Sequence, residues 1–440
     1  MRACMMQTRF KPFVAAILFA LFAGFLLTSG LAMIPFHPDE ASLLYESQDF
    51  ERWLLDPLAL AWPGEGADDP QLEFRLLNAP LGKYVLGAGR LAAGYSLEQT
   101  NADWDWSLTW AENVDAGALP PERMLVAARS ASSLVMWAGL LILTIVGYHL
   151  GGPSVGVCTA LLGASNALLL LHGRRAMSEG TLLLGISLAL LGILHADRRP
   201  WLTGLGVGLA IASKYSALPI LFIGLVASVW QTPAQPASAR GRLRRAAIFL
   251  ATCTLVLIAL HPVLWRRPIQ TLGAMWSARD ALLTEQVEAI GAFAPHQVLD
   301  SPGERFAALL GHVFILPPQL EEVGNYTAVL KPSFEAYLAL PISSLLRGVL
   351  AGGFMMGLAL LGGVVVLQEW RRTGMQAGTR GALLLLLTTG IFCAALLAVN
   401  PLPFQRYYLP LVPLIVLWQS YGIVRLVEFG LELLRGSDGA

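Results

Sequence analysis

The chain has 440 residues, 55% of them apolar and only 14% charged, and its 30 basic and 30 acidic residues cancel. That apolar share is too high for a soluble chain of this length and indicates a polytopic membrane protein. Zero net charge removes the electrostatic case for nucleic acid. Of the four cysteines, Cys4 lies in the N-terminal tail and Cys158, Cys253 and Cys393 lie inside apolar runs. No disulfide framework or thiolate metal site is therefore expected.

A run able to cross ~30 Å of hydrocarbon needs about 20 residues. Such runs are expected at Pro12–Phe36, Val126–Leu150, Val155–Leu171, Thr181–His195, Ala246–Leu260, Leu345–Leu367, Gly381–Val399 and Tyr408–Val427. Trp201–Trp230 is apolar but interrupted by Ser213-Lys214-Tyr215, which predicts two shorter helices meeting at Lys214 and roughly ten spans in all. The first run resembles a signal peptide but is long for one and lacks a clean small-x-small cleavage site, so it reads as an anchor. Arg2, Arg9, Lys11, Arg198-Arg199, the cluster Arg240 to Arg245, and Arg371, Arg372 and Arg380 then fall on one face, which the positive-inside rule makes cytoplasmic. Thr232–Ser238 reads as a short linker on that face. Two long loops, 37–121 and 262–341, fall on the other face within a single membrane domain, 1–440. Their pieces Glu40–Leu55 and Ala278–Ile290 are amphipathic and are expected to lie in the interface, and their tryptophans suit an interfacial belt.

The chemistry-bearing residues follow in chain order. His37-Pro38-Asp39-Glu40 comes directly after the first span. Carboxylates at a membrane edge cost solvation free energy if even partly buried. Asp39 and Glu40 are candidate catalytic acids, Asp39 as a general base; the plainer reading is a helix start, with Pro38 early and two acids in the first turn. Asn78-Ala79-Pro80-Leu81-Gly82-Lys83 opens an apolar stretch too short to span, with Lys83 either holding a phosphate or snorkelling. Arg174-Arg175-Ala176-Met177-Ser178-Glu179 puts two arginines at a non-cytoplasmic edge, against the positive-inside trend. Arg174 is taken to face inward and Arg175 outward, and Glu179 is a candidate second acid; an Arg175/Glu179 pair one helical turn apart is the plainer reading. Lys214, ending a short helix, and Arg406-Tyr407, between the last two spans, complete a basic set on the Asp39 face. Arg406 can grip two phosphate oxygens at once. His261, His296 and His312 show no ligand spacing and read as structural. Asn325-Tyr326-Thr327 matches a glycan acceptor pattern only weakly.

Taken in order, Asp39-Glu40, Pro80-Leu81-Gly82-Lys83, Arg129, Arg174–Glu179, Ser213-Lys214 and Arg406-Tyr407-Tyr408-Leu409-Pro410 resemble the protein O-mannosyltransferases and their bacterial relatives, including the lipid A aminoarabinose transferases, of the GT-C superfamily. The likeness extends over about Pro12 to Arg425. It implies an all-α GT-C transmembrane bundle and inverting transfer of a sugar from a polyprenyl-phosphate donor to a hydroxyl on a protein, lipid or glycan. It implies an active site on the extracytoplasmic or lumenal face, and a bacterial cytoplasmic membrane is the expected location. It implies Asp39 as base and a second acid, usually Asp and here Glu179. Where the family often reads His-Pro-Pro-Leu-Gly-Lys, this chain has Asn78-Ala79-Pro80-Leu81-Gly82-Lys83. Lys83, Arg174, Lys214, Arg406 and Tyr407 would hold the departing phosphate, and the layout requires neither a metal nor another cofactor. The competing readings are a lipid-linked-sugar transporter, which a broken helix also suits, and a non-catalytic lipid-binding subunit.

Overall fold

The computed structural model describes residues 18, 21–64, 69–230 and 238–437. The expected start of the first span at Pro12, the residues Arg2, Cys4, Arg9 and Lys11, and most of the 232–238 linker lie outside these. The described residues form an all-α protein. Among the described residues five helices are long and apolar enough to cross a membrane, and three shorter apolar helices, Glu179–Leu194, Pro200–Ser213 and Tyr215–Val229, accompany them. The chain is an integral membrane protein.

The first helix, α1 (residues 21–28), ends well before Phe36. Gly30, at φ 63°, turns the chain into a short 3-10 segment, Leu31–Met33. Next come α2 (Pro38–Glu46), α3 (Asp49–Leu55), α4 (Leu72–Leu77), α5 (Pro80–Ala92) and α6 (Trp110–Asp115). The expected interfacial piece Glu40–Leu55 is thus two helices, and the first is buried: Ala41, Leu43 and Leu44 are covered by protein. Only Leu54 and Leu55, at its far end, stay strongly exposed.

The next helix, α7 (Glu122–Ala164), folds back on itself at Gly151-Gly152, where Gly152 has φ 83°. A Cβ on Gly147 would lie 2.4 Å from Thr159 Oγ1, and one on Gly163 would lie 2.3 Å from Leu140 Cδ1, so the two arms run antiparallel in close contact. The second arm stops at Ala164 rather than Leu171, because Asn166 caps a separate short helix, α8 (Ala167–His172).

Helices α9 (Glu179–Leu194) and α10 (Pro200–Ser213) form a tight hairpin. Gly185, Gly192 and Gly206 each face the partner's backbone so closely that a Cβ would come within 2.5 Å of it. This register brings the start of α9, Glu179, to the end of α10, Lys214. Lys214 is extended, and Pro219 opens α11 (Pro219–Val229), so the interruption foreseen at Lys214 is real. Helix α12 (Ala239–Leu260) starts earlier than expected and carries the Arg240–Arg245 cluster on its first turns. The second long loop contains α13 (Pro268–Phe293), α14 (Pro302–Leu310) and α15 (Thr327–Leu338). Helices α16 (Val349–Thr373), α17 (Ala377–Val399) and α18 (Val412–Ser437) complete the bundle, with a 3-10 segment, Gln405–Leu411, between the last two.

Candidate active site

The start of α2 is built as a capping box. His37 Nδ1 accepts from Asp39 N at 3.1 Å, and Glu40 accepts from His37 N at 3.0 Å. Glu40 is fully buried and its oxygens are occupied. Arg129 grips them with Nε at 2.8 Å and Nη2 at 2.7 Å, and Ala176 N donates at 2.7 Å. Arg129 also donates to the carbonyls of Leu31 and Ile34, both at 2.8 Å. Glu40, with Arg129, therefore ties the 31–34 segment, α2, α7 and the 173–178 turn together. This corrects its expected catalytic place: it has no free oxygen to offer a substrate.

Asp39 points the other way and is 26% exposed. Its carboxylate pairs with Arg406 Nη1. Burial pushes its acidity toward a higher pKa, but the adjacent Arg406 guanidinium outweighs this and holds the group at about 2. Arg406 is fixed from several sides. Its backbone N donates to Glu322 Oε1 at 3.2 Å, its Nε lies 3.5 Å from Glu322 Oε2, and its guanidinium lies 5.8 Å from the Tyr407 ring. Gln405 locks the same turn to the second loop through Pro317 O and Gln319 N, each at 2.9 Å. Lys214 Nζ lies 5.9 Å from the same ring and donates to Glu179 Oε1 at 2.8 Å. Glu179 Oε2 is buried without a hydrogen bond, and Arg406 Nε and Glu322 Oε2 face each other as an ion pair without one.

Asp39, Glu179, Lys214, Arg406 and Tyr407 thus meet at one end of the bundle. Lys83 and Arg174 do not join them. Lys83 is buried between Glu46 Oε2 at 3.4 Å and Asp49 Oδ2 at 3.1 Å, and Arg75 and Asn78 complete that cluster. Glu46 lies two turns along α2 from Asp39, ~10 Å away on the same face. Burial raises Glu46 to about 7 despite Lys83 and Asn78. The segment keeps its place because a Cβ on Gly82 would lie 2.3 Å from Ser178 Oγ; α5 abuts the start of α9.

Both arginines are buried, against the expectation that Arg175 faces outward. They sit in a non-helical turn, so the argument that one helical face must exclude the other does not apply. Arg174 turns to Ser29 O. Arg175 is buried, donates to Pro35 O at 3.2 Å, and acts electrostatically on His37, Glu322 and Arg406.

Sequence reasoning missed Glu322, His172 and the inward place of Arg175. Glu322 sits mid-loop with no pattern around it, and only the fold carries it to Arg406. His172 ends α8 inside an apolar run, and both ring nitrogens are buried without a partner. Among the described residues no group of three or more His, Cys, Asp or Glu side chains is arranged to hold a metal ion.

No protein-family model matches the sequence, and no curated protein matches it. Solved structures do match. The apo oligosaccharyltransferase of Archaeoglobus fulgidus aligns with TM-score 0.53 and 12% identity over 96% of this chain and 52% of its own. The same organism's AglB, in complex with an inhibitory peptide and a dolichol-phosphate, aligns with TM-score 0.51 and 12% identity over 98% of this chain and 52% of its own. The S. cerevisiae Pmt1-Pmt2 protein O-mannosyltransferase complex, bound to the sugar donor, aligns with TM-score 0.41 and 16% identity over 60% of this chain and 34% of its own. The chain spans about half the length of the archaeal enzyme. The match at that length, carried by the archaeal structures, gives the chain the membrane-bundle fold of that half of the archaeal oligosaccharyltransferase.

Proposed function

We propose that the chain is an inverting glycosyltransferase that moves a hexose or pentose from a polyprenyl-phosphate carrier to a hydroxyl of a protein, lipid or glycan acceptor. The single observation that carries this reading is the meeting of Asp39, Arg406, Tyr407, Lys214 and Glu179, drawn from four separate elements, at one end of the bundle. The fold is that of enzymes whose solved complexes include a dolichol-phosphate.

The chemistry follows from charge. The acceptor oxygen attacks the anomeric carbon, Asp39 takes the hydroxyl proton, and the C–O bond to phosphate breaks with its electron pair leaving on the phosphate. That leaving group needs positive charge rather than a general acid, and Arg406 and Lys214 supply it. Arg406 must exchange the Asp39 carboxylate for the donor phosphate to do so. The exchange also prepares the base. Once Arg406 turns to the phosphate, Asp39 loses the main influence that keeps it a weak base, while burial continues to push its pKa up. A base held at about 2 is a poor proton acceptor near neutral pH, and one released toward higher values is a better one. Glu179 steers Lys214, and Glu322 holds Arg406 when Asp39 lets go.

For the membrane setting we propose ten traverses: α1, the two arms of α7, α9 to α12, and α16 to α18. The basic residues Arg198, Arg199, Arg240, Arg371 and Arg372 then stand at the opposite end of the bundle from Asp39. By the positive-inside rule the site faces away from the cytoplasm, in the cytoplasmic membrane of a bacterium.

The test uses purified full-length protein in proteoliposomes with undecaprenyl-phosphate-linked hexoses and pentoses in turn. Acceptor-dependent release of undecaprenyl phosphate supports the reading. Movement of intact sugar-lipid across the bilayer, with no release, supports a transporter instead.

A further inference from the structure

A half-buried cation lies away from the site just described. Arg347 precedes α16, donates through Nη1 to His312 O at 3.0 Å and Val313 O at 2.7 Å, and leaves Nη2 buried with no partner. Among the described residues it makes no ion pair with a carboxylate. Desolvating an unpaired cation is costly, so such a group usually has a ligand to meet.

Beside it is a small open recess of about 30 Å³, lined by Leu162, Asn166, Leu345, Leu346, Arg347 and Gln419 among others, and by no acidic residue. Asn166 uses its Oδ1 to cap α8 at Leu168 N and Leu169 N, which leaves its amide NH₂ as a second donor. Leu346, at φ 62°, is the only non-glycine residue at positive φ among the described residues. For a bulky side chain this is a strained conformation, of the kind that clusters at ligand sites. The mouth is apolar: Leu345 and Leu346 are partly exposed, and Val349 and Leu350, at the start of membrane helix α16, are more exposed still.

We infer that this recess binds the phosphate of an anionic phospholipid, with Arg347 as the charged ligand, Asn166 as a neutral donor, and the acyl chains lying against Leu345 and Leu346. A soluble phosphate ester would use the same donors but gain nothing from the apolar mouth, which is why the lipid is the ligand chosen. The inference is independent of the glycosyl-transfer reading, because it uses none of its residues.

The test is native mass spectrometry of delipidated full-length protein titrated with short-chain phosphatidylglycerol, with glycerol 3-phosphate and diacylglycerol in parallel arms. Phosphatidylglycerol should bind best. Arg347→Gln should weaken it at least ~10-fold, as expected for losing a hydrogen bond to a charged group. Arg347 also braces His312 and Val313, so a second variant separates binding from folding. Leu345→Glu puts a carboxylate at the exposed mouth, leaves Arg347 untouched, and should also weaken binding. Wild-type affinity in both variants overturns the proposal. So does a loss confined to Arg347→Gln, which marks a structural role, and so does glycerol 3-phosphate binding as tightly as the lipid.

Discussion

Replacing Asp39 by Asn separates the base role proposed for this side chain from its pairing with Arg406. The fold should survive. The cap at the start of α2 runs through His37 Nδ1 and Glu40, not through the Asp39 carboxylate, and Arg406 keeps Glu322 at 3.5 Å as a counter-charge. Turnover should fall by ~10²–10⁴-fold, the usual contribution of a general base. Donor binding should move in the opposite direction. The Asp39 carboxylate competes with the donor phosphate for Arg406, and its net pKa drop from 3.8 to about 2 corresponds to ~2–3 kcal/mol. Removing the competitor should therefore tighten polyprenyl-phosphate binding by on the order of 60-fold. The assay pairs release of undecaprenyl phosphate, followed by chromatography and mass spectrometry, with an equilibrium titration of undecaprenyl phosphate. Turnover within tenfold of wild type would refute the base assignment, and weaker donor binding would refute the competition for Arg406.

Other consequences can be measured on the same preparations. The acid limb of kcat should lie at higher pH than that of kcat/KM, because the donor complex frees Asp39 from Arg406 while the free enzyme does not; coincident limbs would argue against the exchange. Glu40→Gln should lower stability by ~3–5 kcal/mol by leaving Arg129 buried without its counter-charge, read as a fall in melting temperature and folded yield, whereas Asp39→Asn should barely move either. Glu46→Gln tests the neighbouring cluster. Glu46 is raised from 4.5 to about 7 in the fold, so its share of stability is complete below pH 4.5 and lost as pH rises through about 7. The variant should thus melt above wild type at pH 8, with little difference near pH 5, and a difference that does not change with pH would contradict the raised pKa. Gly82→Ala should cost ~1–3 kcal/mol and reduce turnover, since its Cβ would collide with Ser178 next to Glu179; a neutral result would show that α5 can shift freely.

Much of this architecture was legible in the sequence, because the signals that specify membrane helices are local. Apolar length marked the long helices, and the polar break at Ser213-Lys214-Tyr215 marked a helix end that the structure also has. Asp39, Glu179, Lys214 and Arg406 were legible as charges at helix ends on a common face. The rest depended on distance in space. Glu40 differs from Asp39 by one methylene and one position, and nothing local says that Arg129, 89 residues on, consumes its carboxylate. Lys83 looked free because its partners, Glu46 and Asp49, lie in a different helix pair. The expectation for Arg174 over Arg175 assumed helical geometry in a stretch that is a turn. Glu322 had no local signature, since a loop carboxylate acquires its role only when Gln405 docks that loop against the Arg406 turn.

The central claim is that Arg406 and Asp39 together handle the phosphate and the hydroxyl of a glycosyl transfer. The most direct measurement is native mass spectrometry of the wild-type protein and of Arg406→Ala, each extracted from its own membrane. The account predicts a co-bound species in the wild type that fragments into a polyprenyl phosphate and a sugar, and its loss from the variant. A wild-type protein carrying no sugar-bearing polyprenyl phosphate, or a variant that retains it equally well, would contradict the claim.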